Sequence, residues 1–293
     1  MILVGGFSMG DSFFGWYFKC QAQNQTLAVI PAIHCAGGRT SCSVQLITGQ
    51  SAHSFSYPQS AWKRQDGTVT IGPNRFGPKG IRLELRDGSY AVSGELRFTS
   101  LTPLRYDIMG PFRHVPSMEC RHSVYSMHHR VDGSVCVGGV QYEFSHADGY
   151  WEGDQGRSFP KNYAWTQYCL DGNALMLAVA EIPIAGFRFT GVTGVVCWYG
   201  RQYRLATYLG ARAEHIGSGG ILVRQGNSRL WARCLEAGGQ RLAAPVRGSM
   251  DRVIREHLAC RAAYRFELGG GVLFDFETKK ASFEYEYPNW TRI

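Results

Sequence analysis

Short runs in which apolar and polar residues alternate recur along most of this chain, with Asp-Gly pairs between many of them. Successive side chains on an extended strand point to opposite faces, so this pattern marks strands with one buried face. Such β-rich runs fall at 68–71, 81–85, 90–98, 123–131, 135–144, 163–170, 175–182, 192–199, 203–208, 221–224, 230–234, 260–268, 272–276 and 282–287. An earlier segment, Phe14-Gly-Trp-Tyr-Phe-Lys19, alternates as an opening strand would, with Trp16 and Phe18 on one face and Tyr17 and Lys19 on the other. Asp-Gly at 66, 87, 132, 148 and 171 is the strongest short-range hairpin signal. One short helix is expected at 250–258, where Met250, Val253, Ile254 and Leu258 keep helical spacing. The pattern as a whole predicts an all-β chain of sandwich or barrel type.

A weak internal echo divides the chain. The first half carries Pro103, Cys120-Arg121, Tyr125 and a final strand through Tyr142 and Phe144. The second carries Pro245, Cys260-Arg261, Tyr264 and a final strand through Phe283 and Tyr287. Two tandem β-barrels at 1–150 and 151–293 would explain the echo, with the crossing inside the Gly-, Pro- and charge-rich stretch 145–161.

Composition narrows the picture further. The 293 residues suffice for one large domain or two of about 150. With 18% charged residues and 36 glycines, disorder, coiled coil and helical solenoid are disfavoured. The net charge of +8 comes from scattered cations with no polybasic run. It reads as solvated surface, which leaves a peripheral membrane contact open and predicts no nucleic-acid partner. Nine cysteines without a CxxC pair read as small buried hydrophobes of a reducing compartment, and no metal site is expected. The start MILVGGFSMGDSF lacks a basic n-region and no stretch approaches 18 apolar residues, so a cytoplasmic location is expected and the sequons at Asn24 and Asn289 carry no weight.

Candidate chemistry concentrates in two windows. The first, 149–167, holds Trp151, Glu152, Asp154, Arg157, Lys161, Tyr163, Trp165 and Gln167. On an extended backbone Glu152 and Asp154 share a face. Two such carboxylates repel, and beside Tyr150 and Trp151 one can stay protonated, as a general acid must. The equally weighted alternative is an ionic lock, Asp154 to Arg157 and Glu152 to Lys161. The second window, 116–129, holds Glu119, His122, His128 and His129 as acid/base groups or ligands, although adjacent histidines on a strand face opposite ways.

Taken together, Phe14-Gly-Trp-Tyr-Phe-Lys19, Met118-Glu-Cys-Arg-His122, Trp151-Glu-Gly-Asp-Gln-Gly-Arg-Ser-Phe-Pro160 and Trp165-Thr-Gln167 resemble the tocopherol cyclase family. The likeness continues through Ile182-Pro-Ile-Ala-Gly-Phe-Arg-Phe-Thr-Gly191, Tyr203-Arg-Leu-Ala-Thr-Tyr208 and Leu242-Ala-Ala-Pro-Val-Arg-Gly-Ser-Met250. Gln155 stands where the family usually has Trp, and Ala32 follows Ile30-Pro31 where it has Gly. The resemblance implies two lipocalin-like (AttH/carotenoid hydratase-like) antiparallel β-barrels. It also implies a cofactor-independent ring closure on an apolar prenylated quinol or a related phenolic or terpenoid.

Such a closure requires protonation of an alkene by a neutral acid in a dry pocket, aromatic faces to stabilise the cation, and a base for the phenol proton. The expected roles are Asp154 or Glu152 as donor and Glu119 or His122 as the group positioning or deprotonating the hydroxyl. Trp16, Trp151, Tyr163 and Trp165 would line the cation site, Arg157 and Lys161 would tune the carboxylates, and Lys19, His128 and Gln167 would contact substrate. Two alternatives stay open: another non-redox enzyme on the same scaffold (hydratase, lyase or double-bond isomerase), and a binding module for apolar ligands. The sequence leaves the oligomeric state undetermined.

Overall fold

The structure, a computed structural model, describes residues 10–116, 118–184 and 187–288, Ile184 by its backbone alone. The segment 1–9 and the Asn289 sequon lie outside the described residues. Among those residues the regular structure is strands, with three short 3-10 turns and no helix long and apolar enough to cross a membrane.

Two antiparallel sheets account for all the strands. The first is built from β1 (Ser12–Gln21), β2 (Thr26–Ala36), β3 (Arg39–Thr48), β4 (Ala52–Pro58), β5 (Trp62–Gln65), β6 (Thr68–Ile71), β7 (Asn74–Gly77), β8 (Gly80–Asp87), β9 (Tyr90–Thr99), β10 (Cys120–Val137) and β11 (Val140–Gly156). The second uses β12 (Tyr163–Leu170), β13 (Asn173–Ile184), β14 (Phe187–Trp198), β15 (Arg201–Ala206), β16 (Arg212–Gly217), β17 (Gly220–Gln225), β18 (Ser228–Cys234), β19 (Gln240–Val246), β20 (Ser249–Leu268) and β21 (Gly271–Tyr285). In each sheet the first strand pairs with the last, β1 with β11 and β12 with β21. The penultimate strand, β10 or β20, follows on the far side. The Cys-Arg echo falls on these two penultimate strands.

Each sheet curls round its own apolar interior. In the first, Phe55 and His53 of β4 stack against Tyr90 of β9, and the Asn74 side-chain amide of β7 donates to the Tyr57 hydroxyl of β4, so the strand at one end of the sheet meets strands of the other half. In the second, the Gln225 side chain joins the ends by accepting from Ala206 N and donating to Arg204 O, each at 2.9 Å. Phe18, Phe76, Phe98 and Trp151 help fill the first interior, and Tyr168, Tyr264, Phe266 and Phe274 the second.

A third apolar cluster lies between the two sheets and includes Tyr17, Met127, Tyr150, Tyr163, Trp165, Met176 and Ile254. The opening strand is therefore buried on both faces: Phe14, Trp16, Phe18 and Cys20 point into the first interior, while Tyr17 and Lys19 face the second sheet. This is why its aromatic density is higher than one-sided burial requires.

Three expectations need correction. Residues 250–258 are extended, not helical: they open β20, where Ile254, Glu256 and Leu258 are buried while Val253 and Arg255 are exposed. Asp132-Gly133 is no hairpin turn but a register shift within β10, with Gly133 at φ +128° and a Cβ there only 2.2 Å from Glu95 O. Asp148-Gly149 lies inside β11, where the glycine makes room for His129, whose Nε2 would sit 2.2 Å from a Cβ. The Asp-Gly pairs at 66, 87 and 171 do connect strands.

Candidate active site between the two sheets

A mostly apolar cavity of about 190 Å³ opens at the seam between the sheets. Its walls come from both: Tyr17, Ile30, Glu152 and Asp154 on one side, Trp165, Ala178, Leu242 and Glu284 on the other. The volume slightly exceeds an engineered cavity of about 150 Å³ that holds benzene, so a ring-sized apolar group fits. The cavity thus lies between the two sheets rather than inside either one.

The acidic wall follows from strand geometry. Glu152 and Asp154 alternate onto the seam face of β11, opposite Val124 and His122 of β10. His122 stands between the two carboxylates, with Nδ1 3.0 Å from Asp154 Oδ1 and Nε2 3.2 Å from Glu152 Oε2. The first contact is a hydrogen bond; the second is an ionic approach whose angle falls short of one. Burial alone would lower the His122 pKa, but the two carboxylates outweigh it and hold the imidazole well above its ordinary value. Glu152 Oε2 also accepts from Tyr150 Oη and from Trp165 Nε1 at 3.3 Å, and Cys120 Sγ lies 3.5 Å from Asp154 Oδ1. The His122, Glu152 and Asp154 ligand atoms are close enough together to share a cation.

The opposite wall carries a second acid that the sequence did not single out. Glu284 of β21 accepts from Tyr163 Oη at 2.5 Å. Burial first, then the neighbouring Glu256 carboxylate, pushes its carboxyl well above the usual range. Glu256, directly across from Glu284 in the β20–β21 register, accepts from Tyr17 Oη at 2.5 Å and is pushed by burial up to about 7. Reading 250–258 as a helix hides Glu256, because its inward alternation with Ile254 and Leu258 shows only in a strand; Tyr17, on the face of the opening strand opposite Trp16, meets Glu256 only once the two sheets are packed together.

The other expected residues are spread over the molecule. Tyr163 and Trp165 line the cavity. Trp16 reaches it from the first interior past Gly153, where a Cβ would lie 2.6 Å from its ring. Trp151 is packed inside the first sheet between Phe18 and Tyr125, so it does not line the cavity as expected. Lys19 is fully buried, donates to Gln167 Oε1 and Lys280 O, and is lowered by burial to about 8; this pair ties the sheets together away from the cavity lining. His128 contacts Asp148 at 2.6 Å, which Arg130 also contacts at 3.0 Å, in a separate network.

Glu119, Arg157 and Lys161 line a groove beside the crossing. The proposed ionic lock does not form: among the described residues neither Arg157 nor Lys161 pairs with Glu152 or Asp154, which engage His122 instead. The crossing is held by Arg252, which donates to Pro160 O and Lys161 O at 2.7 and 2.9 Å.

No protein-family model matches the chain, and no curated protein matches its sequence. Solved structures do match its fold. An AttH-type protein of Nitrosomonas europaea superposes with a TM-score of 0.57 at 12% identity, over 98% of each chain. The fold is that of AttH. Kievitone hydratase of Nectria haematococca matches with a TM-score of 0.52 at 10% identity, over 96% of this chain and 90% of its own. CghA, solved with Sch210972, matches with a TM-score of 0.57 at 9% identity, over 94% and 88%. The chain is therefore an all-β protein of two lipocalin-like antiparallel units of the AttH type.

Proposed function

We propose that this protein is a non-redox acid–base enzyme of the tocopherol cyclase kind, closing a ring on an apolar phenolic substrate held between the two sheets. The observation that carries this reading is the pairing across one apolar cavity of Glu284, whose carboxyl burial and Glu256 hold well above the usual range, with His122 and Asp154, hydrogen-bonded to each other at 3.0 Å. Alkenes are weak bases, and a buried carboxyl that keeps its proton is a suitable donor to one. The donor role expected of Asp154 or Glu152 moves to Glu284, because both of the former face the imidazolium of His122. Glu284 delivers its proton to the alkene and forms a tertiary cation. Tyr17, Tyr163 and Trp165 bound the cavity where that charge develops, each worth up to about 2 kcal/mol to a desolvated cation. The phenol oxygen captures the cation, and Asp154, positioned by His122, takes the phenol proton.

Hydration is the second reading, favoured by the fold shared with a protein named kievitone hydratase. The same acid would protonate the alkene, and water would replace the phenol oxygen. A panel of prenylated hydroquinones, followed by mass spectrometry, separates the two: cyclisation leaves the mass unchanged, hydration adds one water. E284Q and D154N, folded by circular dichroism, are each expected to lose about a hundredfold or more in turnover. Near-normal turnover in E284Q overturns its role as donor, and absence of any turnover in the native protein overturns the enzymatic reading.

A further inference from the structure

Away from the cavity, three potential metal ligands converge within the second sheet. Cys234 ends β18, and His257 and Cys260 lie on β20. Residues three apart on a regular strand face opposite ways, but β20 shifts register between His257 and Cys260 and again before Ala262. The irregularity brings the His257 ring and the Cys260 thiol to one place beside Cys234, with all three ligand atoms within 4.8 Å of one another. All three residues are buried. The two sulfurs are 3.9 Å apart, too far for a disulfide and close to the roughly 3.8 Å between two thiolates bound tetrahedrally at about 2.3 Å. Glu236, exposed on the crossing that follows Cys234, is near enough to interact electrostatically with each of them.

We propose that Cys234, His257 and Cys260 bind one thiophilic divalent cation of the zinc class, with the Glu236 carboxylate or water in the fourth position. Neutral imidazole and two thiolates are the donor set such an ion takes, and binding releases the two thiol protons without any redox change. The ion would fasten the crossing at 235–239 to β20. That crossing leads into β19, which contributes Leu242 and Pro245 to the cavity wall, so the clasp would brace the cavity from outside.

The test is titration of the reduced, metal-stripped full chain with cobalt(II), followed by zinc(II). The expected result is one cobalt per chain with thiolate-to-metal charge-transfer absorption and tetrahedral d–d bands, bleached as zinc replaces it. C234S and C260S should each weaken binding by more than about tenfold. The double variant should lose both the bands and the rise in melting temperature that zinc gives the native chain. H122A should keep the bands. A native chain without thiolate absorption overturns the proposal, whatever the variants do. So does full binding in the double variant that disappears in H122A, which would place the ion on His122, Glu152 and Asp154.

Discussion

His129 illustrates how a single buried side chain sets a pH limit. Its ring is fully buried beside Phe98, with centroids 4.4 Å apart, and burial, reinforced by His128, lowers its pKa to about 3. The unfolded chain binds this proton near pH 6.5 and the folded chain only near 3. Stability is therefore intact above about pH 6.5 and falls as pH drops toward 3, by up to about 5 kcal/mol from this group. His129→Leu is expected to unfold at lower pH than the native chain and to be of similar stability near neutrality; denaturant titrations from pH 4 to 7.5 check this. Equal acid sensitivity in the two would show that other groups govern it. At this same scale the sequence made Glu152, Asp154 and His122 visible, because alternation and local density are local properties. Glu284 was invisible: its significance arises from Glu256 across the ladder and from a cavity formed by residues over a hundred positions away.

Among the elements, β11 carries the most chemistry. Its seam face holds Glu152 and Asp154 and its other face packs Trp151 into the first interior. Gly153 lets the two functions coexist, since a Cβ there would meet Trp16 Cδ1 at 2.6 Å and Gly15 O at 2.8 Å. Gly153→Ala should cost about 1–3 kcal/mol by overpacking and should also impair substrate binding; denaturant midpoints and ligand titration measure the two effects. A midpoint unchanged within error would mean that β1 yields freely. Alternation makes much of the strand content legible, but it marks no run at β2, β3, β4 or β19, and it leaves the opening of β20 looking helical. A strand packed on one face by Ile254 and Leu258, with Met250 and Val253 also apolar, satisfies helical and extended spacing together, and only pairing with β19 and β21 decides between them. The Asp-Gly pairs at 132 and 148 failed for a related reason: a glycine required by a neighbouring strand looks the same in sequence as one required by a turn.

In the whole molecule, the two sheets bury a common apolar layer in which Tyr17, Met127 and Tyr150 meet Trp165, Met176 and Ile254. Separating the halves would expose that layer together with Glu256 and Lys19, so heat unfolding is expected as one transition, with calorimetric and van't Hoff enthalpies equal. Two resolved transitions would mean that the sheets melt independently. The two-barrel pattern could be read from strand count and the internal echo, but the layer between the barrels could not, because nothing in alternation tells which outer face will be covered. The position of the cavity has a consequence for how its selectivity can change. In a ligand site enclosed by one barrel, size is altered by trading side chains in a crowded interior. Here the aromatic interiors are filled and, Trp16 apart, take little part, and the width available to a ligand is the gap between two bodies that share a buried apolar layer. A slight tilt of one body on the other, set by substitutions far from the acids, would admit a different molecule while leaving the proton-transfer groups of each wall in place.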